Sequence, residues 1–310
     1  MKHHFVPEVY LKQFSRNCEG HFFKVKRGQK RAKKIHTSGV CYREDFYDIK
    51  NPTALHEHKL TEKSFLERYG FPYERGWINL IENFKSRQYV SRSQHEQLLK
   101  AYVSIKQRTH FFRRQFTDQK LLNRIFNEVT SKMYEEYKTL IDQRKVDFES
   151  IKSEQLEKMQ DTSTFSEENH LRGLVESLVG INTPIHDALL KLLSMNFEVL
   201  TPKVDKDFFL TSDNPGFSLD GEKIWNTNFG RFDTVVFPIA SKYVVAFQGF
   251  NNLNHLDVIK RVRYRKIDTN EVNLINYASL CTAEEFLFCE SESFLNEFLK
   301  QENFPRVPTK

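Results

Sequence analysis

The 310 residues are enough for one large domain or two ordinary ones with a substantial core. Hydrophobic residues make up a modest 39%, but 28 Phe and 12 Tyr bring large rings whose burial favours a folded, globular chain over a disordered one. Lys and Arg outnumber Asp and Glu by 47 to 41, a formal charge of +6 that admits a polyanionic partner without demanding one.

Cys18, Cys41, Cys281 and Cys289 stand at unrelated spacings with no CxxC pair, a pattern of reduced thiols rather than a disulfide framework or zinc knuckle. The N-terminus lacks an uninterrupted apolar leader, and no apolar run approaches the roughly 18 residues that span a bilayer. The expectation is a soluble cytoplasmic protein with no membrane partner.

In chain order, "MKHHFVPEVYLKQF" puts Pro7 at a first helical position, with Val9, Tyr10, Leu11 and Phe14 as a short apolar face. Next, Phe23 and Val25 alternate with charged residues, Gly28 breaks the run, and an extended arm resumes near Ile35, which predicts a β-hairpin over 21–36. From about Lys63 to Leu200 the spacing is mainly helical. It includes "GWINLIENF", "SQHEQLLKAYVSIKQRTHFFRRQF" as one helix, "LLNRIFNEVTSKMYEEYKTLIDQ" and "DALLKLLSMNFEVL", with a loop or helix start at "DTSTFSEEN". Beyond Thr201, "DFFLTSDNPGF", "RFDTVVFPIA", "KYVVAFQGF" and "IKRVRYRKI" are β-branched, aromatic and separated by turn residues, and read as strands. A helix over "NEVNLINYASLC", a strand at "EEFLFCE" and a helix from Ser293 follow. The predicted fold class is α+β, a helical middle packed with a mostly antiparallel sheet built from the N-terminal hairpin and C-terminal strands. One domain over 1–310 is expected, with regions at 1–50, 60–200 and 201–310.

Five features could carry chemistry. His3 and His4 precede the Pro7 helix, whose free N–H groups favour an anion, so a histidine there could hold phosphate or move a proton; a surface pair at a fraying end is the alternative. Alternation along an extended segment lets only one of them face a given site, here taken as His4. Arg108 falls three residues after Ile105 and four before Phe112, beside a buried stripe, where its guanidinium needs a carboxylate or a bound anion. Gln107 adjoins it, while Arg113 and Arg114 are expected in solvent. In "FFLTSDNPGF", Asp213 reads as a metal ligand or general base at a strand end, or as an Asx-turn residue with Ser212 and Asn214 in support. Glu67 or Glu74 could pair with Arg108 or join His4 and Asp213 around a divalent metal, Mg²⁺ or Mn²⁺, and "HEH" at 56–58 is a weaker metal signal. Finally, Lys24, Lys26, Arg27, Lys30, Arg31, Lys33 and Lys34 give seven cations in eleven residues of the hairpin, a ribbon fit for a nucleic-acid backbone or simply a solvated face. No glycine-rich phosphate loop or Ser or Cys nucleophile motif is present.

"HHFVPEVYLKQF", "CYREDFYDI", "LERYGFPYERGWINLI", "KQRTHFFR", "FLTSDNPGF", "VVFPIA" and "VNLINYASLC", in this order, resemble domain-of-unknown-function family forty-two thirty-eight over nearly the whole chain. The resemblance implies that His3, His4, Glu74, Arg108, Ser212, Asp213 and Asn276 lie in matching family motifs; it implies no activity. Imidazole, guanidinium and carboxylate groups from separated segments, with a basic hairpin, lead to the expectation of a phosphodiester-cleaving enzyme. A defence or toxin setting comes only from association with microbial families of this kind. The alternatives are a non-catalytic sensor or partner-binding protein, and a nucleotide-modifying enzyme.

Overall fold

The computed structural model describes residues 2–48, 74–86, 89–117, 119–160, 170–171, 173–174, 184–221, 223–226, 234–250 and 259–300. The first half of the chain carries β1 (Lys2–His4), α1 (Glu8–Leu11), β2 (His21–Lys26), β3 (Lys33–His36), β4 (Tyr42–Glu44), α2 (Trp77–Ser86) and β5 (Tyr89–Ser91). The helices α3 (Arg92–Arg108), α4 (His110–Thr117), α5 (Gln119–Gln143), α6 (Phe148–Gln160) and α7 (Pro184–Leu193) come next. Strands β6 (Met195–Pro202), β7 (Thr211–Ser212), β8 (Phe217–Asp220), β9 (Lys223–Trp225), β10 (Thr234–Ala240), β11 (Tyr243–Phe250), β12 (Ile259–Arg261) and β13 (Arg263–Ile267) follow. Helix α8 (Thr269–Thr282), strand β14 (Phe286–Cys289) and helix α9 (Glu292–Phe298) finish the described chain.

The fold is α+β with mostly antiparallel pairing, but its sheet material divides. Six strands in the order β13-β6-β11-β10-β8-β9 form one sheet, parallel only between β13 and β6. The N-terminal hairpin does join C-terminal strands, in a separate sheet ordered β3-β2-β14-β7. Strand alternation explains how the larger sheet is buried on both faces. Phe197, Val199, Val235, Phe237, Val245 and Phe247 face a core shared with Leu98, Tyr102 and Ile105 of α3. Leu200, Val236, Val244 and Ala246 face the opposite way, onto Val272 and Ala278 of α8. The smaller sheet does the same: Phe22 and Phe288 join the first core, while Val25, Leu287 and Cys289 pack on Leu295 and Phe298 of α9.

Three predicted elements change. The helix expected to run to Leu200 stops at Leu193, and Met195–Pro202 is a strand in the interior of the large sheet. Its period-two burial, with Met195, Phe197 and Val199 inward, outweighs the helical spacing that precedes it. The long helix through "KQRTHFFRR" breaks at Thr109, which adopts ψ 154°. Its hydroxyl donates to the Lys106 carbonyl at 2.7 Å and accepts the Phe112 N–H at 3.4 Å, ending one helix and starting the next. Phe112 is therefore on α4, not on the helix that carries Arg108. In "DFFLTSDNPGF" only Thr211–Ser212 is strand before the turn, because the Phe209 and Leu210 amides bond to Ser241 O and Asn276 Oδ1. The expectations at 56–58, Glu67 and 161–169 lie outside the described residues. No described helix is long and apolar enough to cross a membrane.

Gly216 closes that turn at φ +76°, and an added Cβ would lie 2.7 Å from Tyr102 Cε2 and 3.0 Å from the Val236 carbonyl. Gly216→Ala therefore should lower unfolding stability by about 2 kcal/mol or more in urea titration.

Candidate functional site

β1 pairs with β4 so that His4 lies opposite Tyr42 and His3 opposite Arg43. The alternation expected of an extended segment separates the two imidazoles. His3 is fully buried, stacked on the Tyr47 ring at 5.6 Å, and its Nδ1 accepts the Tyr47 N–H at 3.0 Å. That bond puts the neutral ring's proton on Nε2, which lies 3.9 Å from Asp48 Oδ1. His3 thus fastens the turn after β4. His4 is half-buried, its ring 5.8 Å from that of Tyr42, and its Nε2 has no hydrogen-bond partner among the described residues. Burial holds its pKa below the usual histidine value, while Glu8 and Glu74 pull it up and Lys2 and Arg108 pull it down.

Arg108 is 2% exposed, and its Nη1 lies 2.6 Å from Glu74 Oε1. Glu74, one of the two acids considered, is therefore a partner, and Glu67 lies outside the described residues. The structure thus brings His4, Glu74 and Arg108 into one electrostatic neighbourhood. Because α1 has only four residues, no strong helix dipole backs an anion site at Pro7.

Asp213 stands in a different cluster. Its carboxylate accepts the backbone N–H groups of Glu284 at 2.9 Å, Glu285 at 2.7 Å and Phe286 at 3.1 Å. Burial pushes its pKa up to about 6, while those three amides pull the other way. Among the described residues no group of three or more His, Cys, Asp or Glu side chains could hold a metal ion. His4, Glu74 and Asp213 therefore do not form the expected metal centre, and the described residues offer no donor set that fits Mg²⁺ or Mn²⁺. The supporting residues are structural. Ser212 Oγ accepts the Asn214 N–H at 3.1 Å, and Asn214 Nδ2 donates to Asn226 Oδ1 at 2.8 Å and to Thr282 O at 2.9 Å. Asn276 holds Leu210 N and Phe208 O, each at 2.8 Å, and the Gln107 carbonyl oxygen accepts from His170 Nε2 at 2.9 Å.

A cleft of about 500 Å³ opens where β4, α4 and the start of β14 meet. Lys24, Arg43, Arg113 and Arg114 supply cations to its wall, Asp213, Glu284 and Glu285 the acids, and Phe5, Tyr42 and Phe286 the rings. The acids are engaged: Glu284 pairs with Arg114, Lys26 Nζ lies 3.9 Å from Glu285, and Asp213 is held by amides. Arg114 is exposed, as expected, at the rim of the cleft, whereas Arg113 is half-buried in its wall with its guanidinium 4.4 Å over the Phe46 ring. Lys24 lies 4.6 Å over Phe286. Of the hairpin's other cations, Arg27 Nη1 donates to Ala283 O at 3.1 Å. Lys30, Arg31, Lys33 and Lys34 are exposed and make no ion pair with the described residues.

Sequence reading missed Arg43, His110 and Lys106. His110 lines the cleft, its ring 4.3 Å from Phe5, and its pKa is pushed down to about 4 by burial and then by Arg43, Arg113 and Arg114. Only the helix break at Thr109 turns this histidine and the arginines toward one opening, and a threonine inside a helical pattern is a faint signal.

The chain is thus an α+β protein with a basic, ring-lined cleft at the foot of a cationic hairpin. It belongs to the family described as Protein of unknown function (DUF4238), whose model matches residues 2–293. No curated protein and no solved structure matches it.

Asp213→Ala leaves three partly buried amide donors without their acceptor and should cost about 3 kcal/mol of stability in urea unfolding. The pH dependence of His110 has a definite sign. Its folded pKa of about 4 lies below the 6.5 of a free histidine, so its contribution is complete above 6.5 and is lost as pH falls toward 4. Thermal melts across that window should show a flatter acid limb for His110→Gln than for the wild type.

Proposed function

We propose that this protein binds single-stranded nucleic acid along the β2–β3 hairpin and into the cleft, and that it cleaves a phosphodiester of the bound strand, in a setting of microbial defence or toxicity. The observation that carries the reading is the mixture of cations and rings on one wall. Lys24, Arg43 and Arg113 stand beside Tyr42 and Phe286, and cations that track a backbone beside rings that stack bases are the physics of single-strand binding. Exposed Lys30, Arg31, Lys33 and Lys34 extend the positive surface from the cleft along the hairpin. For the chemical step, the neighbourhood supplies neutral imidazoles. His4 keeps Nε2 without a hydrogen-bond partner among the described residues and is flanked by Tyr42, itself part of the cleft wall. In this reading His4 takes a proton from an attacking water, whose oxygen bonds to phosphorus as the P–O bond to the leaving sugar oxygen breaks, and that sugar oxygen takes its proton from solvent. The Glu74–Arg108 pair keeps the surroundings fixed, and Arg43 and Arg113 stabilise the phosphorane charge.

A second reading, binding without cleavage as in a sensor, is favoured by the engagement of Asp213, whose carboxylate is taken up by three amides rather than turned to a leaving group. Labelled single-stranded RNA and DNA, duplexes and free nucleotides, each with and without Mg²⁺ or Mn²⁺, separate the readings. Single strands should bind more tightly than duplexes. Arg43→Gln and Arg113→Gln should each reduce the slope of log K against log salt by about 0.7. Cleavage should fall at least about a hundredfold in His4→Ala at unchanged binding. Binding without cleavage leaves the sensor reading; turnover of free nucleotides alone would replace both with a nucleotide-modifying enzyme; no binding to any of them ends all three.

A further inference from the structure

The antiparallel pair α5–α6 carries an apolar seam that the described fold leaves open. Val129, Met133, Tyr137 and Leu140 are 50%, 48%, 46% and 49% exposed. Their spacings of four, four and three residues confine them to a stripe about 80° wide on one helix. Tyr134, about a quarter-turn away, faces α6, where its ring lies 5.3 Å from Phe148. Helix α5 packs chiefly on α4 and α6, so its seam has no cover among the described elements. Single exposed apolar residues are ordinary, but a continuous seam on a helix marks an interface.

We infer that this seam is the interface of a homodimer, two copies of α5 packed antiparallel about a two-fold axis near Tyr134 and Glu135. The order of residues along the stripe is what selects a second copy as occupant, because the seam is its own complement. With that axis, Val129 faces Leu140 of the second copy and Met133 faces its Tyr137, each pair level to within about one residue rise of 1.5 Å. The charges obey the same symmetry. Lys132 and Glu136 lie on the flank turned away from α6, and neither makes an ion pair with the described residues. Antiparallel pairing brings like flanks together, so Lys132 meets Glu136 of the second copy, and the contact occurs twice. This pairing is independent of what the cleft binds.

Light scattering and sedimentation of the full chain over a micromolar concentration series test it. The wild type should show twice the chain mass of 36.9 kDa, and Met133→Glu, folded by circular dichroism, should show the single-chain mass. Lys132→Glu and Glu136→Lys should each weaken the dimer about tenfold, since each places like charges together twice. An equimolar mixture of the two variants restores opposite charges across the seam and should recover wild-type association, which a pair within one helix could not do. A single-chain mass for the wild type throughout overturns the inference, whether the seam is then covered by another part of the chain or by a different protein. So does a dimer indifferent to Met133→Glu, or a mixture no tighter than either variant alone.

Discussion

The buried ammonium of Lys106 is the interaction around which the two sheets and the long helix are assembled. Lys106 sits near the end of α3, 2% exposed, and donates to Asn214 Oδ1 and to the Gly216 carbonyl at 3.2 Å. Both acceptors belong to the turn joining β7 of the small sheet to β8 of the large one. Burial pulls its pKa down to about 7, and the negative charge of Glu284 and Asp213 pulls it back. A lysine placed there without acceptors would be strongly destabilising, so the turn must present its oxygens inward. Asn214 can do so because its amide is also tied to Thr282 O, and Gly216 because no Cβ intrudes on Tyr102. Asp213 completes the joint by gripping the amides that begin β14, which is how the N-terminal hairpin comes to lie beside the C-terminal strands.

Much of this fold was legible as pattern and little of it as pairing. Alternation at Phe23 and Val25 and the β-branched, aromatic run at 234–240 identify strands, and three- and four-residue spacing identifies α2, α3 and α5, because these patterns follow from local geometry. Division into two sheets could not be read, since register between His21–Lys26 and Phe286–Cys289 depends on residues some 260 positions apart. Met195–Pro202 was misread for a related reason. Its apolar residues continue a helical phase from Leu189 and Leu192, and only membership of the sheet makes period two decisive.

The candidate site divides along the same line. Arg108 could be placed from its own helix, and its need for a carboxylate is met by Glu74 across a sequence gap that no spacing rule bridges. Asp213 and His4 looked alike as polar residues in short motifs, yet they do opposite things. One carboxylate is consumed by three amide donors, whereas the imidazole keeps a nitrogen without a bond to the described residues. Composition cannot distinguish a polar residue that serves the backbone from one that the backbone leaves alone, because the difference lies entirely in what the fold brings to it.

The same distinction explains why the cleft, rather than the conspicuous tract of lysines, holds the most informative charges. Lysines on an exposed hairpin are solvated and screened, so they attract a polyanion without orienting it. Arg113 lies over Phe46, Lys24 over Phe286, and His110 is kept neutral by burial first and then by the arginines around it. Charges backed by rings lose less freedom when they meet an anion, and a phosphate arriving among them would raise the His110 pKa by opposing the very charges that now depress it. The hairpin can supply long-range attraction, but position and protonation belong to side chains that only the break at Thr109 turns into one opening.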